Sequence, residues 1–131
     1  LVVMSICKQA VLYGEIKLNS DGSSLKDFIP IKSLSEITNN IINNENNNEI
    51  FNVASGISIK VIDFINKIKN ILELKLSKKI KMSINTNSNS TASTSKFIID
   101  NSKIKNRLYM SKLDHNEEIN NLIDFCIKRF K

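Results

Sequence analysis

Apolar residues recur along the first part of the chain with two different periods. Residues 2–12 carry apolar side chains with the one-sided spacing of an amphipathic helix, and Gly14 is placed to end that helix. Ile16 and Leu18 then alternate with polar residues, which predicts a short strand. A second extended piece is predicted at residues 28–31, where Pro30 favours a sheet edge or a strand end.

The middle of the chain is predicted to hold two helices separated by a buried strand. Residues 33–36 read Ser-Leu-Ser-Glu, a capping box that predicts a helix start. The buried stripe of this helix is predicted to be Ile37, Ile41 and Ile42. Residues 50–53 are predicted as the buried strand, and Ser58 is placed to cap the next helix, at residues 59–72.

The last third alternates again between strand and helix signals. Residues 79–84 predict a strand, and the polar residues 85–95 predict a long loop. Asp100 or Ser102 is expected to cap a short helix that ends near Leu108. A final helix is expected to begin at Asp114, with one apolar face formed by Ile119, Leu122, Ile123, Cys126, Ile127 and Phe130. Short strands alternating with helices predict an α/β fold.

The chain is basic, with a formal net charge of +6 over 131 residues. Such a charge favours an anionic partner (nucleic acid, a membrane surface or a diphosphate), or it belongs to a solvated lysine-rich surface. Nucleic-acid binders concentrate charge on one face and add stacking aromatics, whereas aromatics here are 6% and Trp is absent. We therefore expect neither a nucleic-acid nor a membrane partner.

The residues that ligate metals are few and scattered. Cys7 and Cys126 lie in apolar helical patterns and form no Cys-x-x-Cys pair, so we expect no metal site. They are interpreted as reduced core residues of a cytoplasmic protein. His115 stands at a helix start and is interpreted as a surface or capping residue. No segment has the apolar length of a membrane span.

Three motif segments resemble those of a known family. Residues 22–28 read Gly-Ser-Ser-Leu-Lys-Asp-Phe, similar to a Gly-x-x-x-Arg-Asp-Phe/Tyr signature. Residues 51–56 read Phe-Asn-Val-Ala-Ser-Gly, similar to a Tyr/Phe-Asn-Val-Gly-Ser-Gly turn. Residues 100–108 begin Asp-Asn-Ser-Lys and end in Leu, similar to an Asp-x-Ser-Lys…Leu-Gly block. In this order and spacing they resemble the C-terminal half of the extended short-chain dehydrogenases, the NAD-dependent epimerase/dehydratase family.

The resemblance implies a fold and a domain organisation. It implies the C-terminal portion of a Rossmann-like NAD(P)-binding fold with its substrate-binding lobe, with residues 1–131 as a single region. The chain starts at Leu1 and not at Met, and we expect it to lack the N-terminal dinucleotide-binding part.

The chemistry of the resembled family requires residues that this chain lacks. A Gly-rich turn must hold the dinucleotide, and the chain has 3 glycines, too dispersed to form one. Tyr13 and Lys17 match a Tyr-x-x-x-Lys pair, but Gly14 and the strand pattern after it break the helix that such a pair needs. We therefore predict no catalytic and no cofactor-binding residues. NAD or NADP is implied for the complete protein and none for this chain alone.

Lys26 is the candidate substrate-binding residue. The resemblance places it where the family has an arginine that binds the nucleotide's phosphates; the alternative is a solvent-exposed lysine in a turn. Lysine offers a point charge in place of the planar fork of arginine. Asp27 is interpreted as a structural partner or cap and Phe28 as a core residue. The family's second phosphate-binding arginine has no counterpart, because residues 89–93 contain none.

Two functions follow as hypotheses. By resemblance, the chain is the C-terminal part of an NAD-dependent nucleotide-sugar epimerase or dehydratase, contributing to nucleotide-sugar binding and sheet completion and inactive alone. The resemblance also implies polysaccharide biosynthesis and is compatible with a homodimer of the complete protein. The alternative is a free-standing basic binding or interaction module without catalysis. Whether the chain by itself is an enzyme is left open by its sequence.

Overall fold

The structure is a computed structural model that describes residues 2–44, 49–85, 97–107 and 114–131. Short strands alternate with helices, so the predicted α/β class is confirmed. The elements in chain order are α1 Val2–Tyr13, β1 Glu15–Leu18, β2 Leu25–Asp27, α2 Ile31–Asn43, β3 Ser58–Lys60, α3 Val61–Leu76, β4 Lys81–Ile84, α4 Ser102–Arg107 and α5 His115–Phe130.

The strands of the described residues pair two by two. β1 and β4 run parallel, with Ile16 opposite Met82, and α3 lies between them in the chain. β2 and β3 run antiparallel, with Lys26 opposite Ile59. Because parallel neighbours need a crossover connection, the long helix α3 is the element that allows β4 to return beside β1.

A main core lies between α1, α3, α5 and the β1–β4 pair. The buried residues of this main core are Ile6, Cys7, Ala10, Ile16, Leu18, Phe64, Ile65, Ile68, Leu72, Ile80, Ile119, Ile123 and Cys126. Three helices each present one apolar stripe to it, as their sequence periods predict.

A second cluster is much smaller. It has two buried members, Ile37 of α2 and Ile104 of α4. The partly buried side chains packed against them are Ile29, Ile41, Phe51 and Val53. This second cluster joins α2 and α4 to the segment before β3.

Several sequence predictions are confirmed. The helix of residues 2–12, the strand at Ile16 and Leu18 and the strand that ends at residue 84 are all present. The Asp114 carboxylate accepts hydrogen bonds from the backbone N–H of Asn116 at 2.8 Å and of Glu117 at 3.2 Å, and so caps α5. The Asp100 carboxylate likewise accepts from the Ser102 N–H at 2.9 Å, before α4.

The predicted N-cap of α2 is wrong by three residues. The helix begins at Ile31, with Pro30 as its N-cap and no side-chain cap hydrogen bond. Proline suits this position because the N–H of an N-cap residue has no partner within the helix, and Pro30, with a φ of −61° and a ψ of 139°, has the extended backbone typical of an N-cap. Ser33 is therefore buried within the first turn and is not the cap. Ile42, predicted to be buried, is 74% exposed because the second cluster covers only one narrow face of α2.

Two predicted elements around residue 55 are also wrong. Residues 50–53 belong to no strand, and Ile50 is 87% exposed. Ser58 lies in β3 instead of capping a helix, and α3 begins at Val61. The second extended piece is also displaced, since β2 precedes the predicted residues 28–31. For Ser58 and for the second extended piece, the pairing of β2 with β3 decides the local conformation.

Parts of other predictions lie outside the described residues. These are the loop of residues 85–95 beyond Asn85, and with it residues 89–93, and the predicted helix end at Leu108.

Candidate functional site

Asp27, at the end of β2, holds the turn at residues 54–56. One carboxylate oxygen accepts a hydrogen bond from the Ser55 N–H and the other accepts from the Gly56 N–H, both at 2.8 Å. A carboxylate that receives two backbone donors makes charge-assisted bonds, which are stronger than neutral ones. This contact confirms the interpretation of Asp27 as a structural partner.

Asn101 also contacts the turn at residues 54–56. Its side-chain amide donates to the Ala54 carbonyl at 2.8 Å, and the residue is only 6% exposed. Gly56 has a φ of +75°, and a Cβ there would lie 2.9 Å from the Asn101 amide nitrogen. The turn therefore requires glycine for both its backbone conformation and its close contact with Asn101. We call this contact between the three motif segments the Asp27 junction.

Lys26 lies in β2, one residue before the junction, with its side chain exposed. It lines a cleft of about 580 Å³, which we call the lysine cleft. The other residues that line the lysine cleft are Val2, Ser5, Ile6, Gln9, Lys17, Leu18, Asn19, Ser20, Ser24, Val61 and Ile65. Buried apolar side chains form its floor, whereas lysine, serine and amide side chains form its rim.

Gln9 of α1 connects the helix to the strand at one wall of the lysine cleft. Its side-chain oxygen accepts the backbone N–H of Lys17 at 3.0 Å, and its amide nitrogen donates to the Ser5 hydroxyl at 3.3 Å. The Lys17 ammonium forms an ion pair with Glu15 at 2.8 Å. The hydrogen bond to Glu15, together with its charge, raises the pKa of Lys17. Lys17 is therefore a full positive charge at neutral pH.

Tyr13 and Lys17 do not form a catalytic pair in this structure. Tyr13 is the last residue of α1, and Lys17 lies in β1. Gly14 separates them with a φ of +66°, which reverses the chain between helix and strand. The two side chains therefore do not leave one helix face, as a catalytic pair requires.

His115 is more deeply placed than the sequence predicted. Its ring is half-buried, and Nε2 lies 2.6 Å from the Phe28 carbonyl oxygen. The ring also meets Phe64 edge-on at 5.9 Å, and Phe64 stacks on Phe28 at 4.0 Å. Because a carbonyl oxygen only accepts, Nε2 must donate here. His115 thus has a packing role, which corrects the surface interpretation, and Phe28 is a core residue as predicted.

The cysteines are buried as predicted. Cys7 and Cys126 are both free thiols in the main core. Burial, with a smaller contribution from the neighbouring Cys126, raises the pKa of Cys7 to about 12. A thiol with such a pKa is a poor nucleophile at neutral pH. Within the described ranges, no group of three His, Cys, Asp or Glu residues is placed to hold a metal ion, and no helix is long and apolar enough to cross a membrane.

Comparison with solved structures adds a fold assignment. RMD from Pseudomonas aeruginosa, solved with NADPH, superposes with a TM-score of 0.79 at 11% identity over 98% of this chain and 43% of its own. The fold is that of the C-terminal part of Rossmann-like short-chain dehydrogenase structures. No protein-family model matches the sequence, and no curated protein matches it.

Other similar structures are sugar-nucleotide enzymes. UDP-glucuronic acid 4-epimerase from Bacillus cereus, in complex with UDP-glucuronic acid and NAD, gives a TM-score of 0.75 at 17% identity over 98% of this chain. UDP-glucose 4-epimerase from Thermotoga maritima, with UDP-glucose, gives 0.70 at 19% identity over the same share. The chain spans 40% of each of these two proteins.

The site contains residues that sequence reasoning did not select. Asn101 belongs to the third motif segment, so its place in that segment was an available signal. In the sequence, Lys17 stands out only within a Tyr-x-x-x-Lys pattern, and Gln9 belongs to no motif. Their place beside Lys26 depends on how α1 and β1 pack, which no local pattern encodes.

Proposed function

We propose that this chain is the C-terminal, substrate-side part of an NAD-dependent nucleotide-sugar epimerase or dehydratase. The observation that supports the proposal is the Asp27 junction, where segments far apart in sequence meet and fix Lys26 at the lysine cleft. The NAD and UDP-sugar complexes among the similar structures support the same class of ligand. In this proposal the chain binds the nucleotide-sugar, completes the sheet and is inactive alone.

Lys26 is the proposed contact to the diphosphate. Its neighbour Asp27 is fixed by two backbone hydrogen bonds, so the position of the Lys26 backbone is fixed as well. Its side chain projects over a cleft with an apolar floor, where a charge interaction is less screened than in open solvent. A positive charge held there stabilises an anionic phosphate group.

We propose that the dinucleotide does not bind to this chain. Gly14, Gly22 and Gly56 each stand in separate turns, so no Gly-rich turn at a helix N-terminus is available for a pyrophosphate. We propose that NAD or NADP binds the other part of the complete enzyme. We also propose that this enzyme acts in the cytoplasm, in polysaccharide biosynthesis, as a homodimer.

The test compares two substitutions in the complete protein. Lys26→Ala is expected to weaken nucleotide-sugar binding by about 1–3 kcal/mol, the range of a charge-assisted hydrogen bond. Lys26→Arg is expected to preserve or strengthen binding, because its fork can engage two oxygens. NAD affinity should stay unchanged in both variants. Unchanged nucleotide-sugar affinity in Lys26→Ala would contradict the proposed role.

A second test separates the proposal from a free-standing basic module. The coding region before Leu1 is expected to encode a Gly-rich turn and a Tyr-x-x-x-Lys helix. The 131-residue chain alone is expected to show no NAD binding tighter than about 100 μM, or roughly 5.5 kcal/mol, by calorimetric titration. Tight NAD binding by this chain, or an upstream region without these motifs, would favour the alternative.

A further inference from the structure

Three sulfur atoms meet in the main core, where α1 packs against α5. The Cys126 thiol of α5 donates a hydrogen bond to the Met4 sulfur of α1 at 3.6 Å. Cys7 lies three residues after Met4, on the same face of α1, and its thiol is hydrogen-bonded with the Cys126 thiol. We call Met4, Cys7 and Cys126 the sulfur cluster. No spacing motif indicates it, because Cys126 follows Met4 by 122 residues and the packing of the two helices brings them together.

The separation of the sulfur atoms suits ligands of one metal ion. Two sulfur ligands, each about 2.3 Å from an ion, lie about 3.8–4.0 Å apart at tetrahedral or trigonal angles. The Met4 and Cys126 sulfur atoms are 3.6 Å apart, so a small shift of the flexible Met4 side chain makes room for an ion between them.

The donor atoms of the sulfur cluster select a soft ion of low coordination number. Thiolate and thioether sulfur favour Cu(I) and zinc over harder cations. A structural zinc site needs four ligands, whereas the cluster supplies three sulfur atoms. In the described part of the chain, no group of three His, Cys, Asp or Glu residues is placed to complete a zinc site. Cu(I) accepts fewer ligands, and three sulfur atoms are enough for it.

The surroundings of the cluster favour an ion whose charge is cancelled by a single thiolate. Cys7 and Cys126 have no exposed surface and lie among apolar members of the main core. An uncompensated charge is costly to bury there. Cu(I) with one thiolate is neutral, whereas a divalent ion requires both thiols to ionise. Met4 is only partly buried, so its sulfur side provides a path for the ion from the surface.

We infer that the sulfur cluster is a Cu(I) site, with Cys126 as the thiolate ligand and Met4 and Cys7 as neutral sulfur ligands. Cys126 is the thiolate because it contacts both other sulfur atoms. On binding, the Cys126 S–H bond breaks, an S–Cu bond forms and the proton leaves to solvent, with no change of oxidation state. The site is separate from the proposed function, since the lysine cleft is lined by none of these three residues.

The experiment is anaerobic titration of the reduced 131-residue chain with Cu(I) held by a chromophoric chelator. The folded chain is expected to take one Cu(I) per chain from the chelator and to release one proton. The chain has 2 cysteines, both in the cluster, so Cys126→Ser is expected to abolish this transfer because a hydroxyl is a hard donor. No transfer to the wild type, or one ion shared by two chains, would overturn the inference.

A pair of methionine substitutions tests the site without emptying the core. Met4→Leu keeps the side-chain volume and removes the thioether. Loss of an outer-shell partner already costs about 10–100-fold in metal affinity, so Met4→Leu is expected to weaken Cu(I) binding about tenfold or more. The matched control is Met82→Leu in β4, which packs against the main core outside the cluster and is expected to change affinity less than about twofold. Wild-type affinity in Met4→Leu, or equal losses in the two variants, would contradict the site.

Thermal melts show whether the fold builds the site. Because the ion joins α1 to α5, Cu(I) is expected to raise the Tm of the wild type and of Met82→Leu, but not that of Cys126→Ser. Circular dichroism verifies that each variant is folded, and if Cys126→Ser is not, Met4→Leu decides the question. Equal Cu(I) affinity of the folded and the urea-unfolded chain would mean that the thiols bind without the fold, and the inference would be wrong.

Discussion

The main core and the second cluster differ in how completely they enclose their apolar residues. In the main core, three helices and the β1–β4 pair surround side chains such as Ile68 and Ile123, which have no exposed surface. The second cluster fully encloses only Ile37 and Ile104. Near it in the chain, Ile42 and Ile50 remain largely exposed. The main core is therefore an enclosed interior, whereas the second cluster is only partly covered.

This difference separates apolar side chains that the described residues bury from apolar side chains that they leave exposed. A buried interior stabilises the chain through the burial of apolar area, whereas exposed apolar residues contribute nothing until another surface covers them. Under the proposed function, we expect the cover to be the sheet of the other part of the enzyme, with residues 50–53 pairing against it. In the main core, by contrast, the described helices and strands enclose the buried apolar side chains themselves.

The largest expected effect comes from truncating each region at one isoleucine. Ile68→Ala in the main core is expected to lower the free energy of unfolding by about 2–5 kcal/mol, because it leaves a cavity in an enclosed interior. Ile104→Ala in the second cluster is expected to fall at the low end of that range, because its surroundings can relax. Urea unfolding measures both. Equal losses would mean that the two regions are equally enclosed.

The matched control for this comparison is Ile50→Ala. This side chain is 87% exposed, so its loss is expected to change the free energy of unfolding by less than about 0.5 kcal/mol. A loss as large as that of Ile104→Ala would show that Ile50 is covered in solution.

The Asp27 junction joins β2 to the second cluster, and Asp27→Asn tests it. The amide keeps one acceptor oxygen but presents an NH₂ group to a backbone donor. We expect a loss of about 1–3 kcal/mol in the free energy of unfolding, the cost of an unsatisfied hydrogen bond to a charged group. As control, Asp124→Asn removes an exposed ion pair with Lys75 and should cost less than about 1 kcal/mol. Similar values for the two would contradict a special role of Asp27.

Glu73 of α3 is hydrogen-bonded to the residue that precedes β4. Its carboxylate accepts the Ile80 N–H at 2.8 Å and pairs with the ammonium of Lys69 at 2.9 Å. The backbone hydrogen bond, followed by that of Lys69, lowers the pKa of Glu73 from 4.5 to about 2. A lowered pKa in the folded state gives stability that is present above pH 4.5 and lost as the pH falls toward 2.

The measurement is urea unfolding of the wild-type chain and Glu73→Gln between pH 6 and pH 2. The wild type should lose more stability over the acid part of this range than the variant. Parallel curves would mean that the Glu73 contacts do not persist in solution.

The smallest expected effect is a gain. Ser77 ends α3 with a φ of +49°, a conformation in which a Cβ is disfavoured. Ser77→Gly is expected to raise the free energy of unfolding by up to about 1 kcal/mol, because glycine adopts this conformation without strain. Ser77→Ala keeps the Cβ and is the matched control, with no gain expected. A loss of stability in Ser77→Gly would indicate that the serine side chain supports the turn.

The candidate site could be predicted from the sequence only where its residues belong to a motif. Lys26 and Asp27 stand together in the segment of residues 22–28, and their roles as cation and structural partner follow from that segment. Lys17 reaches the same cleft because β1 packs beside α1, and Asn101 reaches Gly56 across 45 residues of chain. Contacts at such separation are set by packing and have no local signal.

The sequence by itself determined the elements whose stability is local. The one-sided apolar stripes of α1 and α5, the cap at Asp114 and the alternation in β1 and β4 each depend on neighbours within a few residues. Only the tertiary structure decided the start of α2, the place of Ser58 in β3 and the exposure of Ile50. A strand exists only with a partner beside it, and a partner is chosen by the whole fold.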